Sequence, residues 1–119
     1  MTWNAHRDAP APGTALCRPD EVPDGGVREF TRGEGRDAFR FVVVRRGAEC
    51  RAYVNRCPHF LIPLNTGAGG FLTTDGVLWC GQHSAQFRFE DGYCIDGPCK
   101  GGNLEDIPLI ERGGILHIR

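Results

Sequence analysis

Turn residues divide this chain so finely that no window sustains the 3.6-residue apolar period of an amphipathic helix. Seventeen glycines and eight prolines are spread over 119 residues, and short runs rich in β-branched and aromatic residues lie between them. These runs occupy Val27 to Thr31, Phe39 to Arg45, Arg51 to Asn55, Val77 to Cys80, Gln86 to Phe89, Ile107 to Ile110 and Ile115 to Ile118. Turn chemistry bounds each of them: PDGG, RGEGRD, RRGAE, TTDG, FEDG and ERGG. Branched and aromatic side chains suit a pleated, half-buried surface, while Gly and Asp permit the tight reversals. The expected fold is therefore all-β, a small antiparallel sandwich or barrel of many short strands.

The length fits one domain with a modest core, to which a bound metal would add folding energy. Fourteen basic and 15 acidic residues leave a formal charge of −1, which argues against a nucleic-acid or anionic-membrane partner. Apolar runs such as Phe41-Val42-Val43-Val44 are too short to span a bilayer. Residues 1–14 are polar, lack the apolar segment of a secretory signal and read as a flexible leader. Residues 15–119 then form the domain. Six cysteines without such a signal point to the cytoplasm, where thiols stay reduced and serve metals. The TGAGG stretch at 66–70 lacks the residues of a phosphate-binding loop and reads as a turn.

The chemistry concentrates in two loops. Cys57-Pro58-His59 is followed by Cys80-Gly81-Gln82-His83, giving the pattern C-x-H-x20-C-x2-H. Each pair falls between expected strands, so two loops can close over one centre from opposite sides. A zinc finger pairs like ligands on each loop, although mixed sulfur and nitrogen sites also hold zinc. In the other arrangement two imidazoles replace two thiolates on one iron of a binuclear cluster, so Cys57 and Cys80 bind one iron and His59 and His83 the other. Ligand chemistry alone leaves both open.

The paired CPH and CGQH motifs resemble the Rieske [2Fe–2S] family, and the resemblance runs from about Leu16 to Arg119. VNRCPH is similar to the family's strand into the first ligand loop, and HSAQFRFEDG to the strand and turn after the second. Gly97-Pro98-Cys99 resembles the proline-containing loop that covers the cluster. Ser84 stands where Gly usually follows the second His, and Gly81 where Pro is common; neither change removes a ligand. The resemblance implies a Rieske fold with one [2Fe–2S] cluster held by Cys57, His59, Cys80 and His83. High-potential members join the ligand loops by a disulfide and donate hydrogen bonds from a Ser and a Tyr. The matching positions here hold Ile62 and Gln82, and Ala85 and Phe87. Fewer donors mean a lower potential, about −150 mV, at the low end of the Rieske span.

A Rieske oxygenase would need a second iron on two histidines and a carboxylate. Only His6, in the leader, and His117, in the last expected strand, remain. The chain is therefore expected to be an electron carrier and not an enzyme. The resemblance implies a soluble ferredoxin passing single electrons from a flavin-dependent reductase to a Rieske non-haem iron oxygenase. The alternatives are a small subunit or regulatory module of a larger redox complex, and a zinc-stabilised interaction domain. Cys17 and Cys50 read as small apolar fillers, and Cys94 and Cys99 as buried thiols without a disulfide. Phe60 and Leu61, apolar beside His59, suit equally a transient docking patch or inward packing under the ligand loop, whereas Ile62 is expected to turn inward.

Overall fold

The computed structural model describes residues 3–58, 62–65, 71–81 and 85–119. Among these, the strands are β1 (Ala15–Cys17), β2 (Val27–Arg32), β3 (Phe39–Arg46), β4 (Glu49–Val54), β5 (Leu72–Thr74) and β6 (Val77–Trp79). They continue with β7 (Gln86–Arg88), β8 (Cys94–Asp96), β9 (Asp106–Ile107), β10 (Leu109–Arg112) and β11 (Ile115–Ile118). Short 3₁₀ turns occupy Trp3–Ala5, Pro19–Glu21 and Gly35–Asp37. The strands form three antiparallel sheets, ordered β1-β11-β10, β2-β3-β4-β9 and β5-β6-β7-β8. The all-β expectation holds, with ends shifted by a residue or two. The run expected over Ile107 to Ile110 is broken at Pro108, which has no N–H for a ladder, so β9 and β10 join different sheets.

The β2-β3-β4-β9 sheet lies between the other two, and β3 shows why. Successive strand side chains point to opposite faces. Phe39, Phe41 and Val43 pack with Cys17, Val22, Ala52, Ile107, Leu116 and Ile118 against the sheet that contains the termini of the domain. Val42 and Val44 pack on the other face with Tyr53, Leu64, Leu78 and Phe87. The unbroken Phe-Val-Val-Val run, each at most 1% exposed, is that of a strand covered on both sides. Full burial of side chains this size stabilises by roughly 1.5–3 kcal/mol each.

The β5–β6 hairpin follows its sequence signal. Asp75 and Gly76 both have positive φ, 49° and 75°, as a two-residue Asp-Gly turn requires. In the leader, the Trp3 and His6 rings lie 6.2 and 5.3 Å from that of Phe39, and the Gly13 amide donates to the Ile118 carbonyl at 2.7 Å. His117 belongs to β11, its Nδ1 3.0 Å from the Ile115 carbonyl oxygen.

Everything from the end of β4 to the start of β9 is one excursion from the middle sheet. The chain leaves after Val54 and returns at Asp106, beside its point of departure: Tyr53 pairs with Asp106 and the Val54 amide donates to the Glu105 carbonyl at 2.9 Å. That excursion contains both candidate ligand loops.

Candidate metal centre

The first loop begins where β4 ends, and the second where β6 ends. Their closures match. The Cys57 amide donates to the Ile62 carbonyl at 2.8 Å, and the Cys80 amide to the Ala85 carbonyl at 2.8 Å. In each case one hydrogen bond spans five residues and brings the cysteine to the base of its loop. A third bond, from the Gly81 amide to the Leu64 carbonyl at 2.7 Å, ties one loop to the other. Cys57 and Cys80 are 0% and 1% exposed and belong to one apolar cluster with Leu64, Leu78, Ala85 and Phe87. Ile62 packs against the same cluster.

Of the four expected ligands, the structure thus brings Cys57 and Cys80 into one buried lobe. His59 and His83 lie outside the described residues, as do Phe60, Leu61, Gln82 and Ser84. Among the described residues no three His, Cys, Asp or Glu side chains gather as a metal-holding group. The chemistry of the donor set fits an iron–sulfur cluster. Two thiols sit dry at the base of loops with the same closure, and each loop has one further sequence position with an imidazole to offer. The apolar lining would limit solvent access.

A polar clasp, not foreseen from the sequence, holds the first loop to the middle sheet. Asn55 is 4% exposed. Its Oδ1 accepts from the Leu64 amide at 2.7 Å, and its Nδ2 donates to Glu29 Oε2 at 2.6 Å and Asn65 Oδ1 at 3.2 Å. Arg40 completes the group, donating to Glu29 Oε2 at 2.7 Å and to Asn65 Oδ1 at 3.3 Å. A buried amide with its oxygen and nitrogen both used is fully specified in orientation. The signal was an Asn between an apolar strand and a ligand cysteine, but its partners are 10 and 26 residues distant.

The third loop, from Gly97 to Gly102, lies against the first. A Cβ on Gly102 would stand 3.6 Å from Pro58 Cγ. Cys99, 6% exposed, places its sulfur 3.4 Å from that of Cys57. Burial first, then hydrogen bonding and charge from Cys57, pushes the Cys99 thiol up to about 12. Cys94 is buried as well, and no disulfide joins it to Cys99. Cys17 is buried and Cys50 half-buried in or against the other core, and burial raises both thiols.

An all-β domain whose two matched loops carry buried cysteines is the architecture of a domain that holds a metal centre between its loops. A family model described as Rieske [2Fe–2S] domain matches residues 13–109, and the chain belongs to that family. As a member it carries one Rieske-type [2Fe–2S] cluster. The chain is 34% identical over 105 residues to the ferredoxin component of the alkene monooxygenase system of Xanthobacter autotrophicus, covering 87% of this chain and 77% of that protein. Its fold is similar to a solved chain from a complex of reduced oxygenase and oxidized ferredoxin in carbazole 1,9a-dioxygenase, with TM-score 0.71, 20% identity, and 88% and 99% of the two chains covered. It is also similar to the terminal oxygenase of carbazole 1,9a-dioxygenase from Novosphingobium sp. KA1, with TM-score 0.70 and 15% identity. There the match covers 90% of this chain but only 30% of that one. Among the described residues, no helix is long and apolar enough to cross a membrane.

Proposed function

We propose that the chain is a Rieske-type ferredoxin, a one-electron carrier that delivers electrons to an oxygenase. The observation that carries this is the pair of loops closed by matching 2.8 Å bonds at Cys57 and Cys80, on a chain 34% identical to a monooxygenase system's ferredoxin component. Cys57 and Cys80 would hold one iron through thiolates, and His59 and His83 the other through imidazoles. When bound, the cluster supplies reversible one-electron chemistry. The chain's own residues bury the sulfur side among Leu64, Leu78 and Phe87 and fix the first loop through Asn55. Residues 15–119 form the domain, with 1–14 as its leader.

The finer reading names the partners. The donor is a flavin-dependent reductase, the acceptor a Rieske non-haem iron oxygenase, and the compartment the cytoplasm. What supports this is the likeness to a monooxygenase system's ferredoxin component and to a chain from an oxygenase–ferredoxin complex. Absorption and EPR spectra of the protein as purified test the cluster. Reduction by a flavin-dependent reductase with NADH, followed by reoxidation on adding a Rieske oxygenase, tests the role. A colourless zinc protein would overturn the reading. A coloured protein that neither accepts from the reductase nor delivers to the oxygenase would overturn the partners alone.

A further inference from the structure

Cys99 is no member of the proposed ligand set, yet its sulfur lies 3.4 Å from that of Cys57. Counting protons makes this contact informative. Between two thiols, either can donate. A metal-bound Cys57 is a thiolate with no proton to give, so the contact then persists only with Cys99 S–H as donor. The other sulfur neighbour of Cys99, Cys94, directs its own S–H at the Asp96 carbonyl at 3.1 Å, whereas a ligand thiolate is charged. A charged acceptor outcompetes a neutral one.

We propose that Cys99 tunes the cluster: its thiol donates a hydrogen bond to the ligand sulfur of Cys57 and so favours the reduced state. This rests on the proposed ligand role of Cys57. Charge on the ligand sulfurs grows on reduction, so a donor aimed at one of them stabilises the reduced form more than the oxidised one. The positions that carry hydroxyl donors in high-potential relatives hold Ala85 and Phe87, both 0% exposed. The third loop brings a donor from a different direction. Its backbone holds the thiol there: Gly102 donates to the Cys99 carbonyl at 2.8 Å, Lys100 to Gly97 at 3.1 Å, and Cys94 to Gly102 at 2.8 Å. A thiol is a weak donor, so the tuning is modest and the potential stays low.

The test compares cluster content and midpoint potential of the wild type, Cys99→Ala and Cys99→Ser. Cys99→Ala is expected to load its cluster and lower the reduction equilibrium constant by up to about tenfold, at most about 59 mV more negative. Cys99→Ser, which keeps a donor, is expected to stay within about twofold of wild type. Fully loaded Cys99→Ala at the wild-type potential overturns the proposal. A wild type without a cluster overturns the ligand reading instead. Should Cys99→Ala fail to load, the S–H stretching band of the wild type decides. Loading moves one S–H band to lower frequency if Cys99 donates to the thiolate; a spectrum that only loses intensity on loading overturns the proposal.

Discussion

The Gly81 amide donates to the Leu64 carbonyl at 2.7 Å, so a backbone hydrogen bond joins the two proposed ligand loops. High-potential relatives are expected to join theirs with a disulfide, for which Ile62 and Gln82 offer no sulfur. The bond costs no oxidation and holds in a reducing compartment. It also leaves the loop faces without the extra covalent constraint.

The ligand assignment separates the cysteines sharply. Replacing Cys57, His59, Cys80 or His83 with Ala is expected to abolish the visible spectrum and lower thermal stability, because cluster binding contributes to folding. Cys17→Ala and Cys50→Ala should keep full iron and sulfide content. Colour surviving in Cys57→Ala, or lost in Cys17→Ala, would contradict the assignment.

The Asn55 clasp is expected to act on cluster retention. Asn55→Ala leaves the buried Leu64 amide without its acceptor and Glu29 without one donor. The cost is about 1–3 kcal/mol. Because the clasp holds the first loop, the half-life of the cluster against a strong iron chelator should shorten as well. Lowered stability with an unchanged half-life would make Asn55 a fold residue only.

Potential should follow the hydroxyl count. The wild type is expected near −150 mV, the low end for these clusters at about that order, and Ala85→Ser and Phe87→Tyr should each raise it. Spectroelectrochemical titration measures this, and a clearly positive wild-type midpoint would rule out the low-potential reading.

Alkaline stability turns on Tyr53. It is 1% exposed, its hydroxyl donates to the Phe89 carbonyl at 2.7 Å, and burial pushes its phenol above the ordinary value. The unfolded chain releases this proton near pH 10, while the folded one retains it. The stabilisation is therefore complete below about pH 10 and declines as pH rises beyond it. Tyr53→Phe should unfold with a shallower pH dependence above about pH 10, at a cost of about 1–3 kcal/mol near neutrality for the orphaned carbonyl. Equal slopes in denaturant titrations across that range would exclude Tyr53 as the cause.

Leu61, which lies outside the described residues, neighbours His59 in sequence and is proposed as a docking residue. Leu61→Asp is expected to leave the cluster spectrum intact and slow electron exchange with the oxygenase in stopped flow. A bleached or unfolded variant would make Leu61 a core residue.

Local rules carried the reading furthest where the cause was local. The Asp75-Gly76 turn and the cysteine spacing follow from neighbours in sequence, whereas the burial of β3 on both faces comes from the two sheets packed on it. Leu72–Thr74 and Cys94–Asp96, three residues each, are too short to display a period and are strands because β6 and β7 pair with them. The Asn55 clasp and the Cys57–Cys99 contact are long-range: the sulfurs that meet are 42 residues apart. GPC in the sequence indicated a covering loop, but nothing in its spacing identified the sulfur it would meet.

The neck at Val54 and Glu105, where a 2.9 Å bond continues the β4–β9 ladder, gives the molecule a modular topology. Cutting at the neck would sever the chain twice at adjacent points and leave the strand order of the base unthreaded. Variation in cluster environment and partner recognition can therefore accumulate in the excursion while the supporting sheets keep their connectivity. A different redox tip spliced onto this base would have to meet the β4–β9 pairs Ala52–Ile107 and Tyr53–Asp106, cover Val42 and Val44 and supply a partner to the Asn55 clasp.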